Sequence, residues 1–181
     1  MAAERVRESL RLWLWTALLV LYVCFIFSNS LTPGDESSAR SGLVLELARR
    51  FLAAVGLGHV GITEHFIRKL AHFGEYLVLG MLIQHVVRGF FLEAARWIPL
   101  WLLTGILVPL CDETCQLFTL GRSGQISDVW LDISGMLSGS LLYMGIRAAV
   151  KNHRRRKEGD GNGRLKKGTE TANKEGDRSG K

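Results

Sequence analysis

The sequence predicts an all-α fold, a polytopic bundle of four transmembrane helices in residues 1–150, followed by a disordered basic tail in residues 151–181. Hydrophobic residues make up 48% of the 181-residue chain. They concentrate in four runs near the length of roughly 20 residues that a helical span requires. The tail holds eleven basic and five acidic residues, which accounts for the whole net charge of +6. Such a polar segment cannot bury enough apolar area to fold.

Four spans are predicted, at about residues 12–28, 70–87, 97–116 and 128–150. The first is almost continuously apolar, with Trp13 and Trp15 as interfacial anchors at one end. The third has Pro99 in its first turn, where the missing amide is harmless. Pro109 lies further along the same span and predicts a kink, because it leaves a helical carbonyl without its donor.

The fourth span is rich in small residues. Gly135 and Gly139 are four residues apart, a spacing that lets a neighbouring helix backbone approach closely. Between the first and second spans, apolar residues at helical spacing from Leu43 to Val55 predict an amphipathic helix that lies on the outer membrane surface. The three cysteines predict no disulfide framework, because Cys111 and Cys115 are one turn apart on a single helix.

Basic residues near the ends of the spans set the orientation. The arginines that predict a cytoplasmic location for both termini are Arg5, Arg7, Arg11, Arg88, Arg96 and Arg147. A basic run beside a membrane span also favours contact of the tail with anionic lipid, and we expect no nucleic-acid partner. With this threading, the end of span one, the start of two, the end of three and the start of four meet at one extracytoplasmic face.

Polar residues cluster at that face, although a mid-membrane charge costs about 2.5 to 3.5 kcal/mol. Charges placed there usually pair inside a bundle and form a site. The predicted ligand-binding residues are Lys69, His72, Glu75, Tyr76, Asp112, Glu113, Gln116, Arg122, Asp128 and Asp132. Gln125, in the loop between the third and fourth spans, belongs to the same polar group. We expect a polar pocket there, with no metal and no cofactor.

Several of these residues have more than one interpretation. His72 is either a structural hydrogen-bonding group or part of a site. Arg122 can hold a carboxylate of the protein or a phosphate of a lipid headgroup, and the sequence does not choose. Helix capping is a sufficient explanation for Asp128. Asp132 lies one turn deeper, and a buried carboxylate there needs a partner, for which Lys69 and Arg122 are the candidates.

The motifs together resemble those of the VanZ-like membrane proteins. The matching residues are Lys69, His72, Tyr76, Leu79, Asp112, Glu113, Gln116, Gly121, Arg122, Asp128 and Gly135. The resemblance implies a small integral membrane protein, similar to one whose founding member raises resistance to the glycopeptide antibiotic teicoplanin. It implies no catalytic residue, because these motifs carry no assigned roles.

We therefore predict a multi-pass protein of the cell membrane whose outer-face pocket binds a lipid headgroup or a lipid-linked cell-wall precursor. This would connect it with the cell envelope and with the glycopeptide response. The alternative is a membrane-embedded hydrolase or transferase acting on a lipid-linked substrate. His72 and Glu75 with the acids of spans three and four supply the residue types for it. A third interpretation is that the charges only fix the register of four helices.

Overall fold

The structure, a computed structural model, describes the backbone of residues 2–90 and 94–178 and the side chains of residues 3–90 and 98–157. Within these ranges the chain forms helices joined by loops, with no strand. The five helices are α1 (Ala2–Ser30), α2 (Gly34–Ala54), α3 (Glu64–Phe90), α4 (Ala94–Leu117) and α5 (Ile126–Arg178). The prediction of an all-α fold is confirmed.

Four of these helices are long and apolar enough to cross a membrane. Their candidate spans are Ala3–Ser30, Glu64–Phe90, Ile98–Leu117 and Ile126–Lys157. Large apolar side chains on their outer surfaces are exposed, among them Leu14 on α1 and Leu141 on α5, where a bilayer would cover them. Each of the four predicted spans therefore corresponds to one of these helices. The first, second and fourth candidate spans extend beyond the predicted bounds at both ends, and the third is shifted by one residue.

Helix α3 is at the centre of the bundle. Its residues Tyr76, Leu79 and Ile83 are buried and pack with Ile26 of α1 and Met136 of α5. A helix that contacts several others buries most of its circumference, which is why α3 contains more buried residues than an outer helix does. In its first half, Lys69, His72 and Glu75 are partly covered by neighbouring parts of the protein.

Helices α3 and α5 pack backbone against backbone through glycines. A methyl group built on Gly135 would lie 2.6 Å from the carbonyl oxygen of Phe73, and one on Gly139 would collide with that of Leu77. On α3, a methyl group on Gly80 would collide with the carbonyl oxygen of Met136. The predicted close approach at Gly135 and Gly139 is confirmed, with α3 as the neighbouring helix.

The polar ends of the helices meet at one end of the bundle, as the threading requires. Thr119, just after α4, donates a hydrogen bond to the carbonyl of Ser30, the last residue of α1, at 3.3 Å. The amide of Gly34 at the start of α2 bonds the carbonyl of Leu120 at 2.9 Å. Gly121 follows in a left-handed conformation, with φ of +72°, which glycine adopts without strain. We call this end of the bundle the polar end.

Helix α2 confirms the helix predicted between the first two spans, but it begins at Gly34, nine residues before the predicted start at Leu43. Its additional first turns are more polar and include Ser37, which is buried. This turn packs at the polar end, so the segment has a packing role there that its apolar spacing did not indicate. Its predicted position on the outer membrane surface stays a prediction.

Helix α4 corrects the predicted place of Pro99. Because the helix begins at Ala94, Pro99 lies in its second turn rather than its first. Pro109 is inside the helix, as predicted, and its kink stays a prediction.

The cytoplasmic location of both termini stays a prediction. The side chain of Arg96, which contributed to the predicted orientation, is outside the described residues.

The chain divides into two compact units, Met1–Tyr143 and Met144–Lys181. The second unit contains the end of α5, which continues to Arg178 through the segment predicted to be a disordered tail. The reason for this difference is that extending an existing helix avoids the nucleation cost of starting one, and Lys, Arg and Glu are good helix formers. The domain boundary at residue 150 stays a prediction.

Candidate functional site

A pocket with a volume of about 90 Å³ opens at the polar end of the bundle. This is room for several water molecules or one phosphate-sized group. Side chains and loop residues that line it are His65, Arg68, Lys69, His72, Gln116, Gly121, Arg122, Ser123, Gln125, Asp128 and Leu131. Three guanidinium or ammonium groups face it against one carboxylate, so the pocket is suited to an anion.

Arg122 is held in the loop between α4 and α5 with part of its guanidinium free. Its Nη2 donates a hydrogen bond to Ser37 Oγ of α2 at 2.8 Å. Its Nε and Nη1 are buried and have no hydrogen-bond acceptor in the part of the chain that the structure describes. Burial lowers the pKa of Arg122, but an arginine starts so high that it stays protonated at neutral pH. The sequence left two partners open for Arg122, a protein carboxylate and a lipid phosphate. Among the described residues, no carboxylate forms a hydrogen bond with it.

Lys69 and Asp128 form an ion pair between α3 and α5, with Nζ and Oδ1 2.6 Å apart. Asp128 is in the first turn of α5, where a negative charge also complements the helix dipole. The carboxylate is thus used to join two helices, which goes beyond the predicted capping role. It also removes Lys69 as a counter-ion for the deeper Asp132.

Asp132 is fully buried and lacks the partner that we expected. Neither carboxylate oxygen accepts a hydrogen bond from any described residue. His72 lies across the α3 and α5 contact, with Nδ1 at 3.9 Å from Oδ1 of Asp132, which is beyond hydrogen-bond distance. The predicted pairing of Asp132 with Lys69 or Arg122 is therefore wrong. The physical reason is depth, since both cations bind groups nearer the end of the helices.

The acidic pair of α4 is buried and oriented by amides. Gln116 donates from Nε2 to Glu113 Oε1 at 2.9 Å and to Asp112 Oδ2 at 3.4 Å. The backbone amide of Gln125 donates to Glu113 Oε2 at 2.9 Å. Asp112 Oδ1 has no hydrogen-bond partner within the described ranges, although the hydroxyl of Tyr76 is close to this carboxylate.

Glu75 lies beside the site and bonds to α1. Asn29 Nδ2 donates to Glu75 Oε1 at 2.8 Å, and the hydroxyl of Tyr22 donates to the Glu75 carbonyl at 3.2 Å. Neither the pocket lining nor the donor cluster described next includes Glu75. The observed contacts support a structural role for this residue, in joining α1 to α3.

Four side chains from three helices converge next to the pocket. One donor atom from each of His72, Asp112, Glu113 and Asp132 lies within 4.8 Å of all the others. We call these four residues the donor cluster. His72 also lines the pocket, so the cluster and the pocket share a wall. An imidazole and three carboxylates can bind a metal ion or transfer protons. They can also orient the cationic side chains that would bind an anion.

The structure brings nine of the ten predicted site residues to the pocket, the donor cluster or their immediate contacts, and it places Glu75 to one side. Sequence reasoning missed Ser37, which holds Arg122, and Asn29, which holds Glu75. It also did not assign Arg68 to the site. A signal existed for Arg68, because it precedes Lys69 at the start of a span, whereas nothing in the sequence indicates that the start of α2 reaches Arg122.

The fold and this buried polar group define a multi-pass membrane protein with a polar site at one end of a four-span bundle. The sequence model of the VanZ/LLP1 family matches residues 14–148, which include most of each of the four spans and the whole site. The chain belongs to this family, and the resemblance noted in the sequence is confirmed. Comparison with curated proteins and with solved structures finds no match.

Proposed function

We propose that the pocket at the polar end binds the phosphate group of a membrane lipid or of a lipid-linked cell-wall precursor, from the extracytoplasmic side of the cell membrane. The observation that carries the proposal is the buried Arg122 guanidinium, whose Nε and Nη1 face no acceptor among the described residues. A buried donor without an acceptor is costly, and an anion that accepts its hydrogen bonds removes that cost.

The composition of the pocket wall supports the same conclusion. Arg68 and Lys69 line it together with Arg122. Among the described contacts of these three residues, only Lys69 has an ion pair shorter than 3 Å, with Asp128 at 2.6 Å. The pair of Arg68 with Glu64 is longer, at 3.6 Å, and leaves Arg68 Nε without an acceptor. A phosphate offers several oxygens and bears one or two negative charges, which matches this group of donors.

The expected strength of the Arg122 contribution follows from its chemistry. A hydrogen bond from a charged donor contributes about 1.5 to 3 kcal/mol, which corresponds to about a 10- to 150-fold change in affinity. The apolar outer surface of the bundle leaves the acyl or prenyl chain in the bilayer. Only the headgroup would enter a pocket of about 90 Å³.

The test is a titration of the purified protein in a nonionic detergent with two ligands, a short-chain phosphatidylglycerol and a short polyprenyl diphosphate. We expect Arg122→Gln to weaken binding of the preferred ligand by at least tenfold. Arg50→Gln is the matched control, because Arg50 is exposed on α2 and pairs only with Glu46 in the described contacts. The ratio of the two affinities identifies the phospholipid or the precursor as the source of the phosphate.

Equal binding by wild type, Arg122→Gln and Arg50→Gln would refute the proposal, as would binding of neither ligand. If the proposal holds, a role in the cell envelope and in the glycopeptide response follows from what the pocket binds. Contact of the basic tail with anionic lipid is a separate proposal, supported by the charge of residues 151–181.

A second candidate function is a membrane-embedded hydrolase that cleaves the phosphoanhydride bond of a lipid-linked diphosphate with water, which leaves the lipid monophosphate and inorganic phosphate. The specific observation in its favour is that His72 belongs to both the anion pocket and the donor cluster. A bound phosphate would then lie against groups able to activate water. Release of inorganic phosphate from the polyprenyl diphosphate by wild type, and its loss in Asp112→Asn, would support this function, and no release by wild type would exclude it for that substrate.

A further inference from the structure

The donor cluster presents four possible ligand atoms from three separate helices. His72 comes from α3, Asp112 and Glu113 from α4, and Asp132 from α5. Of these helices, α5 is brought against α3 at this level by the close contact of Gly135 with Phe73. The three helices follow one another in the chain, and the four side chains meet because the helices pack side by side rather than through a local turn.

The cluster contains groups that the protein itself leaves without partners. Both oxygens of Asp132 and Oδ1 of Asp112 are buried without a hydrogen bond from a described residue, and so is Nδ1 of His72. Asp112 and Asp132 are each fully inaccessible to solvent. Carboxylates gathered this closely repel one another unless a proton or a positive charge lies among them, and a bound metal ion supplies the positive charge. Lys69 cannot supply it directly, because its ammonium group bonds Asp128.

We propose that His72, Asp112, Glu113 and Asp132 form a binding site for one divalent transition-metal ion. One imidazole and three carboxylates are the donor set that Mn²⁺, Fe²⁺ and Zn²⁺ accept. The proposal goes beyond the anion-binding function, because it concerns a cation and different residues, with only His72 in common.

The geometry needs only a small adjustment. Ligand atoms bind such an ion at about 2.1 Å, so two donors are about 3.0 to 4.2 Å apart, depending on the angle between them at the ion. The cluster extends to 4.8 Å, so its longest separation must contract by roughly 0.6 to 1.8 Å to reach coordination distance. Rotation about side-chain torsions supplies such a change without moving the helices.

Two groups outside the cluster fix its ligands. Gln116 and the amide of Gln125 donate to opposite oxygens of Glu113, which holds the plane of that carboxylate. Each oxygen retains a lone pair for an ion. Outer groups that orient a ligand in this way typically change metal affinity by about 10- to 100-fold when they are removed.

The experiment uses the full chain, purified in detergent and stripped with a chelator, and titrates it with Mn²⁺ alone while free Mn²⁺ is followed by electron paramagnetic resonance. We expect one ion per chain, with affinity at least tenfold lower in Asp132→Asn. Glu46→Gln removes the same charge from an exposed position on α2 and is expected to bind like wild type. Elemental mass spectrometry of the wild-type protein as purified, before the chelator and without added ion, measures the same site a second way, and we expect a bound divalent transition metal.

The nitrogen ligand provides a signature that a general loss of folding does not produce. Bound Mn²⁺ should show electron spin-echo modulation from a directly bound imidazole nitrogen, and His72→Gln should lose that modulation. Arg122→Gln is expected to keep Mn²⁺ binding, because it removes a nearby positive charge, so this test and the lipid titration fail independently. No stoichiometric Mn²⁺ on wild type, or an equal loss in Glu46→Gln, would overturn the metal site.

Discussion

Replacing Gly135 with alanine tests the contact that brings α3 and α5 together beside the site. The added methyl group would lie 2.6 Å from the Phe73 carbonyl oxygen, whereas ordinary contact begins near 3.4 Å. The helices must therefore separate by about 0.8 Å at this level, or the side chains around them must rearrange. Overpacking of this kind typically costs about 1 to 3 kcal/mol in the free energy of unfolding.

The assay is thermal unfolding of the purified protein, followed by tryptophan fluorescence in one detergent. For a chain of this size the cost corresponds to a decrease in Tm of about 2 to 12 °C. Gly74→Ala is the matched control, since it is on α3 near the same level and a methyl group there would meet no atom within 4 Å. Alanine has the higher helix propensity, so we expect this control to be unchanged or more stable, by up to about 1 kcal/mol.

The two variants together decide the matter. A Gly135→Ala protein as stable as wild type would contradict the close contact of α3 and α5, because the added methyl group would then have room. So would an equal loss of stability in Gly74→Ala, which would show a general intolerance of alanine in these spans. Because His72 and Asp132 lie on either side of this contact, we also expect Gly135→Ala to weaken Mn²⁺ binding.

Two further predictions concern the polar end. In a cysteine-free background, Ser123→Cys should react in whole cells with a membrane-impermeant maleimide. Ser9→Cys, near the N-terminus, should react only after the cells are broken. The reverse pattern would place the pocket on the cytoplasmic side. Each single charge reversal, Lys69→Asp and Asp128→Lys, should lower stability by about 1 kcal/mol or more. The double variant should recover part of this loss, because the pair is re-formed with opposite polarity while a lysine in the first turn of α5 opposes the helix dipole. No recovery would contradict the pairing.

The helices could be predicted from the sequence because a membrane span is a local property. About 20 apolar residues are needed whatever the partners are, so the four runs were identified without knowledge of their packing. The start of α2 was missed, since its first turns carry Gly34, Asp35 and Ser37 and lack apolar spacing. Its helical state there depends on contacts with the loop after α4, which are distant in sequence.

The gathering of polar residues at one end could also be predicted, because chain reversals through a membrane place alternate helix ends on the same side. The sequence could not predict which of these residues form pairs. Lys69 and Asp128 meet, while Asp132, one turn further on α5, faces His72. The choice depends on helix rotation and on sub-ångström packing at Gly135, neither of which hydropathy or motif spacing encodes.

The difference has a functional consequence for Asp132 and His72. The sequence predicts that Asp132 pairs with Lys69 or Arg122, and it leaves His72 as either a structural hydrogen-bonding group or part of a site. In the structure they belong to a donor cluster with unpartnered oxygens, which turns attention to a metal ion. The sequence contained the residue types for this site, but only the bundle brings them within 4.8 Å.

We propose above all that Arg122 and its neighbours hold a phosphate headgroup at the polar end. Native mass spectrometry of the protein released from its own membranes measures this most directly, because lipid that stays bound is weighed with the chain. We predict a phosphate-containing lipid retained at one per chain by wild type and by Arg50→Gln, and largely lost from Arg122→Gln. Equal retention by all three proteins, or retention only of lipids without phosphate, would contradict the claim.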